Sequence, residues 1–231
     1  MLFKKLDKIL FYAFIVAEVI IYLTFLFADS LNSFDTTYLK YSGIIVCFIF
    51  SIIFTVLKRR KVWDYFMPIA LAFTLISDYF LLVQTEYDKF IYGLITFIFV
   101  QIFYALYLLK DESDNKRKAF LYVFAFRIII IVIAYSLGFT VYKDYSLEIL
   151  AGAYFINLII NFIECFLLKN KEKAYLIMSL GFFLFIMCDI NVGLYNVDIN
   201  GVNKEIPNFL MWFFYLPSQV ILSSINYYKN K

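Results

Sequence analysis

Two aspartates interrupt long apolar runs, Asp78 in MPIALAFTLISDYFLLV and Asp189 in AYLIMSLGFFLFIMCDINVGL. An ionised carboxylate at the centre of a bilayer costs about 2.5 to 3.5 kcal/mol on insertion scales, so carboxylates kept there belong in a polar interior cavity. In each case the next apolar run carries a glutamine, Gln101 or Gln219. Two carboxylates facing one cavity can share a proton, which makes a working acid and base. The plain structural alternative is that each aspartate bonds a Ser or Asn across a helix interface. The chain has no histidine, which removes His-ligated zinc, a Ser-His triad and histidine-ligated haem together. Any catalysis must run on carboxylates, amides, hydroxyls or water, with no cofactor or metal called for.

The elements that position these groups are membrane spans. Of 231 residues, 64% are hydrophobic, 22% aromatic and only 17% charged, too apolar for a soluble domain of this size. A span needs roughly 20 apolar residues to cross the hydrocarbon. The chain divides into eight such runs, near 9–28, 38–57, 65–84, 90–109, 119–138, 147–168, 174–194 and 207–227. They are continuously apolar, without the two-residue alternation of a barrel strand, so the expected fold is an all-α polytopic bundle in one domain over residues 1–231. The first run has the basic flank of a secretory signal but no cleavage-site pattern after it, and it reads as the first span. The links KDESDNKRK (110–118) and NVDINGVNKEI (196–206) read as solvated connectors.

Basic residues set the orientation, because Lys and Arg gather on the cytoplasmic side. Sixteen of the 21 fall at the N-terminus (Lys4, Lys5, Lys8), in alternate links (Lys58 to Lys61, Lys110 and 116–118, Lys169, Lys171, Lys173) and at the C-terminus (Lys229, Lys231). The other side has Lys40, Lys89, Lys143 and Lys204, and Arg127 alone sits inside a span. Both termini are therefore expected in the cytoplasm, in an integral membrane protein of the bacterial inner membrane. The net charge of +3 describes topology and anionic lipid, and indicates no nucleic-acid partner.

Spans three and four carry Asp78 and Gln101; spans seven and eight carry Asp189 and Gln219. This hints at a 4+4 parallel repeat about an axis along the membrane normal. Both aspartates then lie at one level, roughly 20 Å from the inner boundary at 1.5 Å per residue. Spans one and five would correspond, and Glu18 and Arg127, at similar depth, are expected to form a buried structural ion pair. Glu164 is expected to reach the interface or Lys169, Lys40 to be solvated near the outer boundary, and Trp63 and Trp212 to belong to interfacial belts. Cys47, Cys165 and Cys188 lie inside spans without metal-ligand spacing and read as packing residues.

The stretches LAFTLISDYFLLVQTEYDKFIYGLITFIFVQIFYALYL (71–108), GFFLFIMCDINVGL (181–194) and FFYLPSQVILSSI (213–225) resemble the YhhN family, the lysoplasmalogenase-like eight-span membrane proteins. The family pattern has Gly-Asp in span three, Phe-x-x-Gly opening span four and His-x-x-Tyr within it. Here those positions are Ser77-Asp78, Phe90 to Gly93, and Gln101 to Tyr104. The later Ser-Asp and Ala-Gln are Cys188-Asp189 and Ser218-Gln219. Both aspartates, Gly93, Tyr104 and Gln219 match, and the histidine is replaced by Gln101.

The resemblance implies hydrolysis of the vinyl-ether bond of a lysoplasmalogen to a fatty aldehyde and a glycerophospho-headgroup, with a single-chain lysophospholipid as partner. A vinyl ether is cleaved by protonation at carbon and water addition to the resulting oxocarbenium ion, which needs an acid, a nearby negative charge and an oriented water. Asp78 and Asp189 are the expected catalytic pair. Tyr104, Gln219 and Gln101, and more weakly Asn157, Asn161 and Asn191, are candidates to orient water or substrate. The alternative class is a non-catalytic lipid or small-molecule carrier, which would bind a cation or proton at the two aspartates. Paired Gly/Pro breaks in matching spans would mark it, and Pro217, Gly93 and Gly152 make no such pair. A retinal-type photoreceptor is excluded, since span seven has no lysine for a Schiff base.

Overall fold

The computed structural model describes residues 2–31, 33–58, 61–84, 87–109, 114–141, 145–170, 172–196 and 204–229. Its elements are α1 (Leu2–Leu31), α2 (Thr37–Leu57), α3 (Phe66–Asp78), α4 (Tyr87–Leu109), α5 (Asp114–Ser136), α6 (Ser146–Leu167), α7 (Lys173–Asn196), α8 (Glu205–Ser223) and the short α9 (Ile225–Tyr228). No strand occurs among the described residues. Continuous apolar runs become helices because lipid offers no partner to a backbone N–H or C=O, and the helix satisfies both within one segment. A 3-10 turn at Val62–Tyr65 leads into α3, and π-helical turns at Tyr79–Val83 and Leu137–Val141 prolong α3 and α5.

Among the described residues, seven stretches are long and apolar enough to cross a membrane: Leu6–Leu31, Thr37–Leu57, Val62–Val83, Lys89–Leu109, Leu121–Val141, Ser146–Leu167 and Lys173–Asn196. The eighth expected span, α8, is 19 residues long and is not among them. Asn208, Pro217, Ser218 and Gln219 dilute its apolar run. The link at 110–118 is not a plain connector: α5 has already begun at Asp114. Residues 197–203 of the other long link lie outside the described residues, as do Arg59, Arg60, Lys110, Lys143, Lys171 and Lys231 of the charge pattern.

Six helices pack in a closed ring, in the order α2, α3, α4, α6, α7, α8 and back to α2. Outside it, α1 leans on α2 and α8, and α5 leans on α6 and α4. Only 17% of the apolar window of α1 or of α5 is buried, against 56% in α4, which marks the outer two as lipid-facing helices. Their outward side chains, such as Tyr12, Val16, Ile20 and Phe27 on α1 and Tyr122, Ile129 and Val132 on α5, form apolar faces larger than a water-soluble monomer exposes.

Local chemistry joins the ring. Pro217 inside α8 has no N–H, which frees the carbonyl of Phe213 four residues earlier, and the Tyr22 hydroxyl of α1 donates to it at 2.9 Å. Ser77 at the end of α3 donates to the Gly93 carbonyl of α4 at 2.5 Å. A side chain at Gly93 would meet Leu81 of the π turn at 2.5 Å, so glycine lets these elements touch. At the lysine-rich end, Asn226 of α9 donates to Thr55 of α2 and to the Asp64 carbonyl, and accepts from Tyr107 of α4.

Arg127 does not pair with Glu18. Its guanidinium ion-pairs with Glu164 of α6 and donates to Asn161 of the same helix at 2.5 Å. Both acids lie within the bundle, but α5 packs on α6, whereas Glu18 on α1 accepts from Cys47 of α2 at 3.4 Å. Glu164 accordingly turns inward and not toward Lys169 or the interface, and it is buried with Arg127. Removing one partner leaves a buried charge uncompensated, a loss of about 3 to 5 kcal/mol, whereas replacing both with apolar residues removes the penalty. We expect Arg127→Leu to lower the unfolding midpoint of the detergent-solubilised protein sharply, and the Arg127→Leu/Glu164→Leu double variant to recover most of it in the same thermal assay.

Candidate functional site

Asp78 and Asp189 wall one cavity of about 520 Å³. Asp78 is the last residue of α3, where the α-helix gives way to the π turn, a local widening frequently found at functional sites. Asp189 lies in the C-terminal third of α7, two turns before its end at Asn196. Each carboxylate is held by a tyrosine. The Tyr215 hydroxyl of α8 lies 2.8 and 2.7 Å from the two oxygens of Asp78, and the Tyr154 hydroxyl of α6 donates to Asp189 Oδ2 at 2.6 Å.

The two sites differ in access. Asp78 is buried, both its oxygens facing one hydroxyl, whereas Asp189 is half-buried and its Oδ1 takes no hydrogen bond among the described residues. Asp189 therefore keeps an oxygen for water or a ligand. Cys188 beside it also lines the cavity as a free thiol. Most of the remaining wall is apolar, from Leu81, Leu82, Phe90, Leu94, Phe97 and Met211. Exposed Tyr195, Asn196 and Asn208, at the end of α7 and the start of α8, rim it at one end of the bundle.

Lys40, in the first turn of α2, is the cavity's cation. It is buried where solvation was expected, because its ammonium ion-pairs with Asp29 of α1 at 2.8 Å and lies 4.9 Å from the Trp212 ring centre. Trp212 is likewise an inner wall residue and not part of an outer belt, while Trp63 at the opposite end is exposed.

The other sequence candidates stand behind this wall. Tyr104, Gln101 and Gln219 are wholly buried and do not line the cavity. Gln101 Oε1 and its main-chain carbonyl both accept from Asn161, at 2.8 and 3.0 Å, which ties this position to Arg127 and Glu164. The Tyr104 hydroxyl and both amide atoms of Gln219 have no hydrogen-bond partner among the described residues. Asn157 and Asn191 donate to carbonyls one turn back in their own helices, those of Ala153 and Met187. Among the described residues no three His, Cys, Asp or Glu side chains group closely enough to hold a metal ion.

The residues missed by the sequence are Tyr154, Tyr215 and Lys40. A phenol inside an apolar run needs a polar partner, which is a signal. With 20 tyrosines in the chain it selects nothing. Tyr215→Phe leaves the buried Asp78 without its hydroxyl, a loss of about 1 to 3 kcal/mol. A lowered thermal midpoint in Tyr215→Phe, with a smaller fall in Tyr154→Phe because Asp189 reaches the cavity, is the expected result in detergent.

No curated protein and no solved structure matches the chain to a significant degree. The family model of the YhhN family matches residues 36–225, which contain every element that lines the cavity, and the protein belongs to the YhhN family.

Proposed function

We propose that the protein hydrolyses the vinyl-ether bond of lysoplasmalogen-type lysophospholipids, releasing a fatty aldehyde and a glycerophospho-headgroup. The observation that carries this reading is the pair of tyrosine-bonded carboxylates on one otherwise apolar cavity wall. One aspartic acid gives its proton to the outer vinyl carbon, and the electron pair of the double bond forms the new C–H bond. The other, ionised, stabilises the oxocarbenium ion and takes a proton from the attacking water. The hemiacetal then collapses as the second carboxyl, now protonated, gives its proton to the leaving glycerol oxygen and the first takes the proton of the hemiacetal hydroxyl, so that aldehyde and free glycerol hydroxyl form, one water is consumed and both carboxyl groups return to their starting states. Asp189, with Oδ1 open to the cavity, is suited to the water. Tyr154 and Tyr215 position the carboxylates.

The same proposal includes an eight-span topology in a bacterial inner membrane, with α8 as the last span and both termini cytoplasmic. It also includes the 4+4 repeat. In support of the repeat, adding four to the helix numbers carries the main packing pairs onto others: α2·α3 onto α6·α7, α3·α4 onto α7·α8, α1·α2 onto α5·α6, and α4·α6 onto α8·α2.

Aldehyde release from lysoplasmalogen by the purified protein in detergent micelles tests the chemistry, with the saturated alkyl ether as control. Asp78→Asn and Asp189→Asn should each reduce release by about 100-fold or more, the weight of one acid or base, while still binding the alkyl ether. Undiminished turnover in either variant would remove that carboxylate from the reaction. Binding by the unaltered protein without turnover would favour the carrier class.

A further inference from the structure

Lys40 is a charged group inside an apolar wall that the proposed chemistry does not use. Its ammonium is fixed from several sides: Asp29 Oδ2 accepts one N–H, Asp29 Oδ1 is itself held by the Thr36 hydroxyl at 2.5 Å, and the Trp212 and Phe25 rings lie 4.9 and 5.8 Å away. An ammonium has three donors, and the described structure engages one of them with an oxygen. Lys40 also lines the cavity, with Thr37 of the same turn and Asn208 of α8.

Height along α8 relates this lysine to the carboxylates. Trp212, under the ammonium, precedes Tyr215, which bonds Asp78, by three residues, a rise of roughly 4.5 Å. Asn208 at the rim is a further four residues, roughly 6 Å, above Trp212. Along α8 the ring beside the ammonium thus lies nearer the rim than the tyrosine that bonds Asp78, by roughly one helical turn. A phosphate cannot approach those acids without repulsion, but a three-carbon glycerol unit separates it from an ether oxygen by about that interval.

Resting on the proposed function for its substrate class, we propose that Lys40, with Thr37 and Asn208, forms a phosphate subsite that holds the headgroup phosphodiester of a single-chain lipid at the rim of the cavity. Asp29 keeps the ammonium in place when no lipid is bound, and gives up part of it to the phosphate. The glycerol then spans one turn downward, and the ether oxygen meets the carboxylate layer. Lys40 is on this account a specificity-determining residue for phospholipid over neutral ether lipid.

The test is equilibrium binding to the full-length protein in nonionic micelles, with 1-O-alkyl lysophosphatidylethanolamine and 1-O-alkylglycerol as probes. Both are saturated ethers, so binding is read without turnover. The unaltered protein should prefer the phospholipid by at least about tenfold, the weight of one charge-assisted hydrogen bond. Lys40→Gln should bring that preference close to unity, Lys40→Arg should retain most of it, and Asp29→Asn, which removes the competing carboxylate, should keep or increase it. A purely structural Asp29–Lys40 clasp would instead weaken both probes equally in Lys40→Gln and Asp29→Asn alike. That result, or an unchanged preference in Lys40→Gln, overturns the inference. If Lys40→Gln does not fold, Asp29→Asn decides, and a fall in its preference for phospholipid counts against the subsite.

Inorganic phosphate and glycerophosphoethanolamine, added as competitors, separate the two sources of phosphate. Displacement only by the chain-bearing lipid supports the headgroup, whereas displacement by millimolar inorganic phosphate overturns the lipid assignment in favour of a free-anion site. Lys40-dependent binding without aldehyde release from lysoplasmalogen would refute the hydrolase reading and leave this subsite standing.

Discussion

Hydrocarbon gives a polar atom no water to fall back on, so a polar group inside these helices must find its partner in another helix or in its own backbone. Dispersion alone chooses no neighbour here, since lipid tails pack as well against Leu and Phe as other helices do. Directional contacts therefore select the neighbours. Tyr22 binds α1 to α8, Ser77 binds α3 to α4, Arg127 with Glu164 binds α5 to α6, Tyr154 binds α6 to α7, and Tyr215 binds α8 to α3. The last of these crosses the ring and brings a donor from α8 to the carboxylate of α3. Two of these contacts, those of Tyr154 and Tyr215, are made by groups that also line the cavity.

A ring whose packing pairs repeat after four helices still does not give its two aspartates equal surroundings. Asp78 receives its hydroxyl from α8, across the ring, and Asp189 receives its own from α6, the adjacent helix. One carboxylate ends up buried beneath a π turn with both oxygens occupied, and the other keeps an oxygen on the cavity. Unequal surroundings of this kind are what would separate an acid from a base, because environments that push two carboxyl groups apart assign their roles. The tyrosines create this difference without a second charge, which would be costly in this medium.

The helical class and the membrane setting were legible because they depend on composition and run length, which hold whatever the neighbours are. The partner of a buried charge was not. Glu18 and Arg127 share a depth, but depth is one coordinate of three, and α1 and α5 lean on the ring at different places, α1 on α2 and α8 and α5 on α6 and α4. Lys40 reads as a solvated lysine in any linear view, since Asp29, which holds it, belongs to the preceding helix. Tyr154 and Tyr215 are hidden for the opposite reason, being ordinary aromatic residues of an aromatic-rich chain until the aspartates lie beside them. The cluster of Asn157, Asn161 and Asn191 misled because an asparagine in a helix can bond the carbonyl one turn back, as two of the three do here.

Gln101, at the position where the family pattern has histidine, bears on how this chain manages without a third titratable group. Its side chain does not reach the cavity. Its Oε1 accepts from Asn161, whose own Oδ1 accepts from Arg127, which in turn pairs with Glu164. An amide suits that place because Asn161 presents an N–H and Gln101 answers with an oxygen that is always an acceptor. The position thus belongs to the support of α4 against α6, and the polar contacts that face the cavity are supplied by tyrosines from α6 and α8. The charge of Arg127 is satisfied between α5 and α6, by Glu164 and Asn161, and the cavity that the two aspartates line has Lys40 as its only cation among the described residues.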